Sequence, residues 1–164
     1  MTDRPTGEVE LRHPVDVRIE RALEAFEAQR AILERTRPWA TIGLAIAIAI
    51  VFGMQLRWGS GDPLAPLYAM GSLVPEEVRS GAWWRLISSA FLHAGWSHVA
   101  FNVMALWILG SFVEKVLGAR RMVVLVLASA IGGNLASLAV HDAGQSVGAS
   151  GGVWGLLGAG AVLG

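Results

Sequence analysis

Three polar side chains in this sequence have the types and spacing for acyl-transfer chemistry. Ser150 stands in the run Gly148-Ala149-Ser150-Gly151-Gly152, whose glycines leave its hydroxyl and the nearby backbone N–H groups unshielded at a predicted helix start. A helix N-terminus there turns its positive dipole end toward a developing oxyanion. His98 and Asn102 are four residues apart, so on a helix they share one face, separated by about 6 Å of rise. A hydroxyl nucleophile opposite an imidazole and a carboxamide can attack a carbonyl and bind the tetrahedral oxyanion. Each residue also has a plainer reading. His98 can be a structural histidine at a helix end, and Asn102 can join two helices. Ser150 can be one more small residue in a packing seam, since Gly148/Gly152 and Gly151/Gly155 have GxxxG spacing. The glycine setting separates Ser150 from Ser97, Ser129, Ser137 and Ser146.

The elements that must position these residues are membrane helices. Of the 26 charges, fifteen lie in residues 1–37, six in 57–85 and five beyond. Four uncharged runs remain: Pro38–Leu56, Leu86–Val113, Met122–His141 and Ala143–Gly164, of 19, 28, 20 and 22 residues. A bilayer core of about 30 Å needs roughly 20 apolar residues of helix, so each run is near the length of one span. This excludes a soluble globular domain and a disordered chain, and predicts an all-α, polytopic membrane helical bundle with spans near 38–56, 96–113, 121–141 and 146–164. Thirteen bases cancel thirteen acids, which argues against a nucleic-acid partner. Cysteine is absent, removing disulfides and thiolate chemistry. No metal or other cofactor is expected, because His98 and Asn102 lack further ligands at suitable spacing.

Residues 1–37 read as a cytoplasmic N-terminal region, and residues 38–164 as the membrane domain. After Pro5, Gly7 and Pro14, and with Asp16 as candidate N-cap, Ile19, Leu23, Phe26 and Leu33 recur at helical spacing among Glu and Arg. That is an amphipathic lead-in to the first span, read as a solvated helix rather than a membrane-surface or partner helix. Arg30, Arg35 and Arg37 before the first run, with Lys115, Arg120 and Arg121 after the second, place the N-terminus inside. The sites of Ser150, His98 and Asn102 then share the outer leaflet. The outward 57–96 segment, with Gly59, Gly61, Pro63, Pro66, Pro75, Trp58, Trp83, Trp84 and Trp96, is expected to lie in the outer interface and cover something beneath it. Twelve of the thirteen bases are Arg; with abundant Ala, Gly and Val this suggests GC-rich coding and a bacterial inner membrane.

Four motifs stand in register: Trp84-Arg85; His93, His98 and Asn102 in a His-x4-His-x3-Asn pattern; Gly110 through Glu114, continuing Lys115-Val116-Leu117-Gly118; and Gly148-Ala149-Ser150-Gly151. Together they resemble those of the rhomboid intramembrane serine proteases. The likeness runs from about Leu56 to Gly164. It implies a six-span core, of which four spans stand in this chain. It also implies Ser150 as nucleophile, with His98, Asn102 and the Gly148 and Ser150 backbone lining the oxyanion hole. Trp84-Arg85 would brace the outer loop, and Glu114 would hold the inner end of the second span. The implied substrates are single-span membrane proteins, cut near the outer face where small or helix-breaking residues unwind them.

One part of the family's machinery is missing. A serine hydroxyl needs a base, which the family carries as a histidine on its sixth span. The histidines here are His13, His93, His98 and His141, and none follows Ser150. His13 is on the wrong side, His93 reads as structural, His98 is taken by the oxyanion role, and His141 would serve only by departing from the family arrangement. The apolar end Ala161-Val162-Leu163-Gly164 lacks the flank of a natural last span, so a fragment of a six-span protease is expected. Residues 1–164 alone are then expected to be inactive. The alternatives are a rhomboid-like pseudoprotease that binds membrane proteins without cutting them, and a non-enzymatic helix bundle with a transport or structural role.

Overall fold

The computed structural model describes residues 14–58 and 64–163. His13 and the outer-segment residues Gly59, Gly61 and Pro63 lie outside them, as do Pro5 and Gly7. Contacts divide the chain at Thr36/Arg37. On the N-terminal side stands α1, Pro14–Arg35. It begins two residues ahead of Asp16, since proline is tolerated in a first helical turn. Its Ile19, Leu23 and Phe26 are all exposed.

The larger unit is helical among the described residues, with α2 (Trp39–Trp58), α3 (Ala65–Ala69), α4 (Pro75–Arg79) and α5 (Arg85–Ser88). A 3-10 turn at Ser89–Phe91 leads to α6 (Trp96–Leu117), α7 (Ala119–Val140) and α8 (Ser150–Leu163). α2, α6 and α7 are long and apolar enough to cross a bilayer, while α8 has 14 residues. The chain is an all-α membrane helical bundle. The fourth helix starts at Ser150 rather than near 146, because Ser146 is held in an isolated antiparallel pairing with Leu73. That pairing uses both backbone bonds, each 2.9 Å, and docks the loop before α8 onto the segment between α2 and α6.

Ile48 and Phe52 of α2, Val99, Leu106 and Val113 of α6, Met122 of α7 and Leu156 of α8 form the buried core. Lipid tails are as apolar as leucine, so close packing rather than water exclusion holds such helices together. The α7–α8 seam illustrates this. A Cβ on Gly152 would stand 2.9 Å from Val126 Cγ1, and one on Gly155 only 2.0 Å from Ser129 Oγ. Midway along α6, Leu106–Gly110 widens into a π turn, at the level where Gly110 packs against Thr41.

Two polar clusters anchor the frame. At the start of α2, the Glu114 carboxylate accepts from Ala40 N–H (2.9 Å), Thr41 N–H (2.7 Å) and Thr41 Oγ–H (2.8 Å). These N–H groups belong to a first helical turn and have no intrahelical acceptor, and the negative charge suits that end of the dipole. In the segment between α2 and α6, the buried Arg85 donates through Nη1 to the Ser72 carbonyl (2.8 Å) and the Tyr68 carbonyl (3.2 Å). Its guanidinium lies over the rings of Tyr68 and Trp84. Asn134 of α7 donates to Leu86 O (2.8 Å) and Ser89 Oγ (2.9 Å), tying that segment to the bundle.

Candidate active site

Ser150 is the first residue of α8, and it is exposed. The preceding loop reaches it through Gly148, whose φ of +125° favours glycine. There is also no room for a side chain, since a Cβ at Gly148 would be 2.7 Å from His98 Nε2 and 2.8 Å from Cε1. The loop that delivers the serine is therefore pressed onto the imidazole of α6. One turn further along α6, the buried Asn102 donates through Nδ2 to the His98 carbonyl at 2.9 Å. The second N–H of that carboxamide is a further donor.

The tautomer of His98 follows from its partner. Nδ1 accepts from Ala94 N–H at 3.4 Å, so a neutral ring carries its proton on Nε2, the atom facing Gly148. That directs the His98 N–H toward the loop before α8. The backbone donors of the loop can be accounted for one by one. Gly148 N–H is taken by the Ser89 carbonyl at 2.9 Å, and Ala149 N–H points at His93 Nε2, 3.5 Å away. The bond from Val153 N–H to Ala149 O opens the helix, which leaves the N–H groups of Ser150, Gly151 and Gly152 in the unpaired first turn. The Gly148 backbone thus contributes close approach rather than its N–H, and Ser150 supplies the N–H nearest the hydroxyl.

His93 lies deeper than its sequence position suggests. It is 1% exposed, with Nδ1 3.3 Å from the Phe91 carbonyl and its ring edge-on to His98, centroids 5.0 Å apart. Burial, reinforced by the His98 imidazole, lowers its pKa from 6.5 to about 4, with the Phe91 carbonyl pulling the other way. The ring is neutral at physiological pH, with Nδ1–H directed to Phe91 O and Nε2 left to accept from Ala149. Beneath it, Gln55 of α2 donates from Nε2 to the His93 carbonyl (2.9 Å) and accepts the His93 N–H at Oε1 (3.1 Å). The motif reading missed Gln55 and Ser89. The available signal for Gln55 was a lone carboxamide in an otherwise apolar run.

Trp84 and Arg85 meet in the segment between α2 and α6, and the Glu114 carboxylate sits at the start of α2. His141 follows the last residue of α7, its Nδ1 3.2 Å from the Ser137 carbonyl of that helix, and is exposed.

Fold and site define a helical integral membrane protein in which the loop before α8, two residues ahead of Ser150, lies against His98 of α6, with Asn102 one turn further along that helix. Residues 80–164 match the family model of the Rhomboid domain. The chain is 35% identical over 137 residues to "Rhomboid protease GluP" of Bacillus subtilis (strain 168), covering 83% of this chain and 27% of that protein. It is 39% identical over 101 residues to "RHOMBOID-like protein 5" of Arabidopsis thaliana, covering 60% and 33%. Against the human "Rhomboid-related protein 3" it is 31% identical over 125 residues, covering 74% and 31%. The chain belongs to the rhomboid family, and it spans about a quarter to a third of the length of these relatives.

Proposed function

We propose that the parent protein is an intramembrane serine endopeptidase that cuts single-span membrane proteins near the outer face of a bacterial inner membrane, with its N-terminus in the cytoplasm. The observation that carries this reading is the seat of Gly148 on the His98 ring, where no Cβ fits. A packing seam alone does not require a histidine under the residue two before the serine. Ser150 Oγ attacks the scissile carbonyl carbon and gives its proton to a histidine base carried outside residues 1–164. The oxyanion is met by His98 Nε2–H, Asn102 Nδ2–H and the Ser150 N–H. The base then returns the proton to the leaving amine, and water releases the acyl group. Trp84, Arg85 and Glu114 hold the frame without touching the chemistry.

The test is reaction of the full-length gene product with a fluorophosphonate in detergent. Labelling at Ser150 that disappears in Ser150→Ala is expected. Residues 1–164 alone are expected not to cleave a transmembrane substrate; cleavage by them, abolished in Ser150→Ala, would overturn the assignment of the base. A full-length protein that never reacts at Ser150 but captures single-span proteins would instead be a pseudoprotease.

A further inference from the structure

Gln55 is 7% exposed and uses both ends of its carboxamide on a single residue, His93. One bond is donated from Nε2 to the His93 carbonyl (2.9 Å) and one is accepted by Oε1 from the His93 N–H (3.1 Å). The chain between the 3-10 turn at Ser89–Phe91 and α6 has no helix or ladder to satisfy its backbone, and a buried backbone group must find a partner elsewhere. The two-point clasp therefore sets both the location and the rotation of residue 93. From there the contacts run on into the site. His93 Nε2 faces the Ala149 N–H (3.5 Å), one residue before the serine, and the His93 ring stands edge-on to His98.

We infer that Gln55 is a positioning residue: through the His93 backbone it sets the imidazole that receives the Ala149 N–H and braces His98, aligning Ser150 with its oxyanion donors. The inference rests on the peptidase reading above. Neither Gln55 nor His93 touches the reacting atoms in this arrangement. The clasp acts by keeping Ala149 N–H directed at His93, so that the Ser150 N–H, and not its neighbour's, faces the oxyanion.

Gln55→Met removes both bonds at nearly constant volume, and Gln55→Glu keeps an oxygen for the His93 N–H. In the full-length chain in detergent, Gln55→Met is expected to speed hydrogen exchange at the Ala149 amide at least tenfold. The NMR signature of an Nδ1-protonated His93 ring should be lost, and fluorophosphonate reaction at Ser150 should slow at least tenfold. Exchange at Ala40 and Thr41, at the far end of α2, should not change, and Gln55→Glu should recover part of each effect. A folded Gln55→Met protein with unchanged Ala149 exchange and His93 ring would overturn the inference. So would a wild-type His93 ring protonated on Nε2, a measurement that needs no variant. If Ala149 exchange responds while the wild-type full-length protein never reacts at Ser150, the positioning role stands and the peptidase reading falls.

Discussion

Replacing Gly148 by alanine tests the contact on which the site rests, because two costs arise there and each can be isolated. A φ of +125° is a conformation that L side chains rarely adopt, and holding alanine in it costs about 1–3 kcal/mol. The new Cβ would also stand 2.7 Å from His98 Nε2, well inside the roughly 3.5 Å of normal contact. Either the ring or the loop must move, and overpacking of this kind costs a further 1–3 kcal/mol or so. The sum is roughly 2–6 kcal/mol. Gly144→Ala separates the first part, since its φ is +100° but a Cβ there meets open space. His98→Ala separates the second, since Gly148→Ala made in that background retains only the backbone cost.

The double-mutant cycle should therefore show a coupling of about 1–3 kcal/mol between positions 148 and 98. Sodium dodecyl sulfate unfolding in mild detergent, followed by far-ultraviolet circular dichroism, supplies the four stabilities. A coupling below about 0.5 kcal/mol, the additivity expected of independent sites, would refute the contact. So would a Gly148→Ala variant no less stable than Gly144→Ala. Either result would detach the serine loop from the imidazole.

Two other perturbations read the frame and the buried histidine. Glu114→Gln offers one acceptor oxygen, and an amide in place of the other, to three donors on Ala40 and Thr41. At least one buried donor is left unsatisfied, a loss of about 1–3 kcal/mol. Thr41→Val deletes a donor with its hydroxyl and should cost nearer 1 kcal/mol, so thermal unfolding in detergent should rank Glu114→Gln as the weaker protein. The pH prediction follows from His93, whose folded pKa is lowered to about 4 from 6.5. Below pH 6.5 the unfolded chain binds the proton that the folded ring refuses. The contribution of the neutral ring is full above pH 6.5 and is lost as the pH falls toward about 4. Across that window, with the His98 imidazole facing it, stability should decline, and the protection of the Ala149 amide relative to its intrinsic exchange rate should fall as Nε2 protonates near pH 4. A His93 ring titrating near 6.5 by NMR would contradict this.

Much of the bundle was legible because its signals are local. Uncharged runs mark α2, α6 and α7, and the spacing of His98 and Asn102 puts them on one face of a single helix. Glycines around Ser150 mark a place where backbones come close. The segment between α2 and α6, by contrast, was not legible as a set of contacts. The Arg85 bonds to the Ser72 and Tyr68 carbonyls depend on short helices whose register no periodicity reveals. Gln55 and His93 lie 38 positions apart, and the clasp between them has no trace in either residue's neighbourhood beyond one polar group in an apolar run. His93 reads as structural from the sequence, but nothing near it in the chain shows what buries it. Its burial comes from α2 and the 148–149 loop, both distant in the chain.

The start of α8 carries the chemical consequence of this division. Hydropathy alone extends the fourth apolar run back to Ala143, and a helix begun near 146 would put Ser150 in its second turn. There the Ser150 N–H would bond to the carbonyl four residues earlier and be lost as a donor. The pairing of Ser146 with Leu73 and the turn at Gly148 delay the helix until Ser150. Ser89 and His93 occupy the two preceding N–H groups. The serine then enters the helix in its unpaired first turn, with its own N–H beside its hydroxyl and the His98 donor across the loop. The place of the Ser150 N–H in an unpaired first turn thus depends less on the glycines around it than on the contact of Leu73 with Ser146, made by residues 73 positions apart.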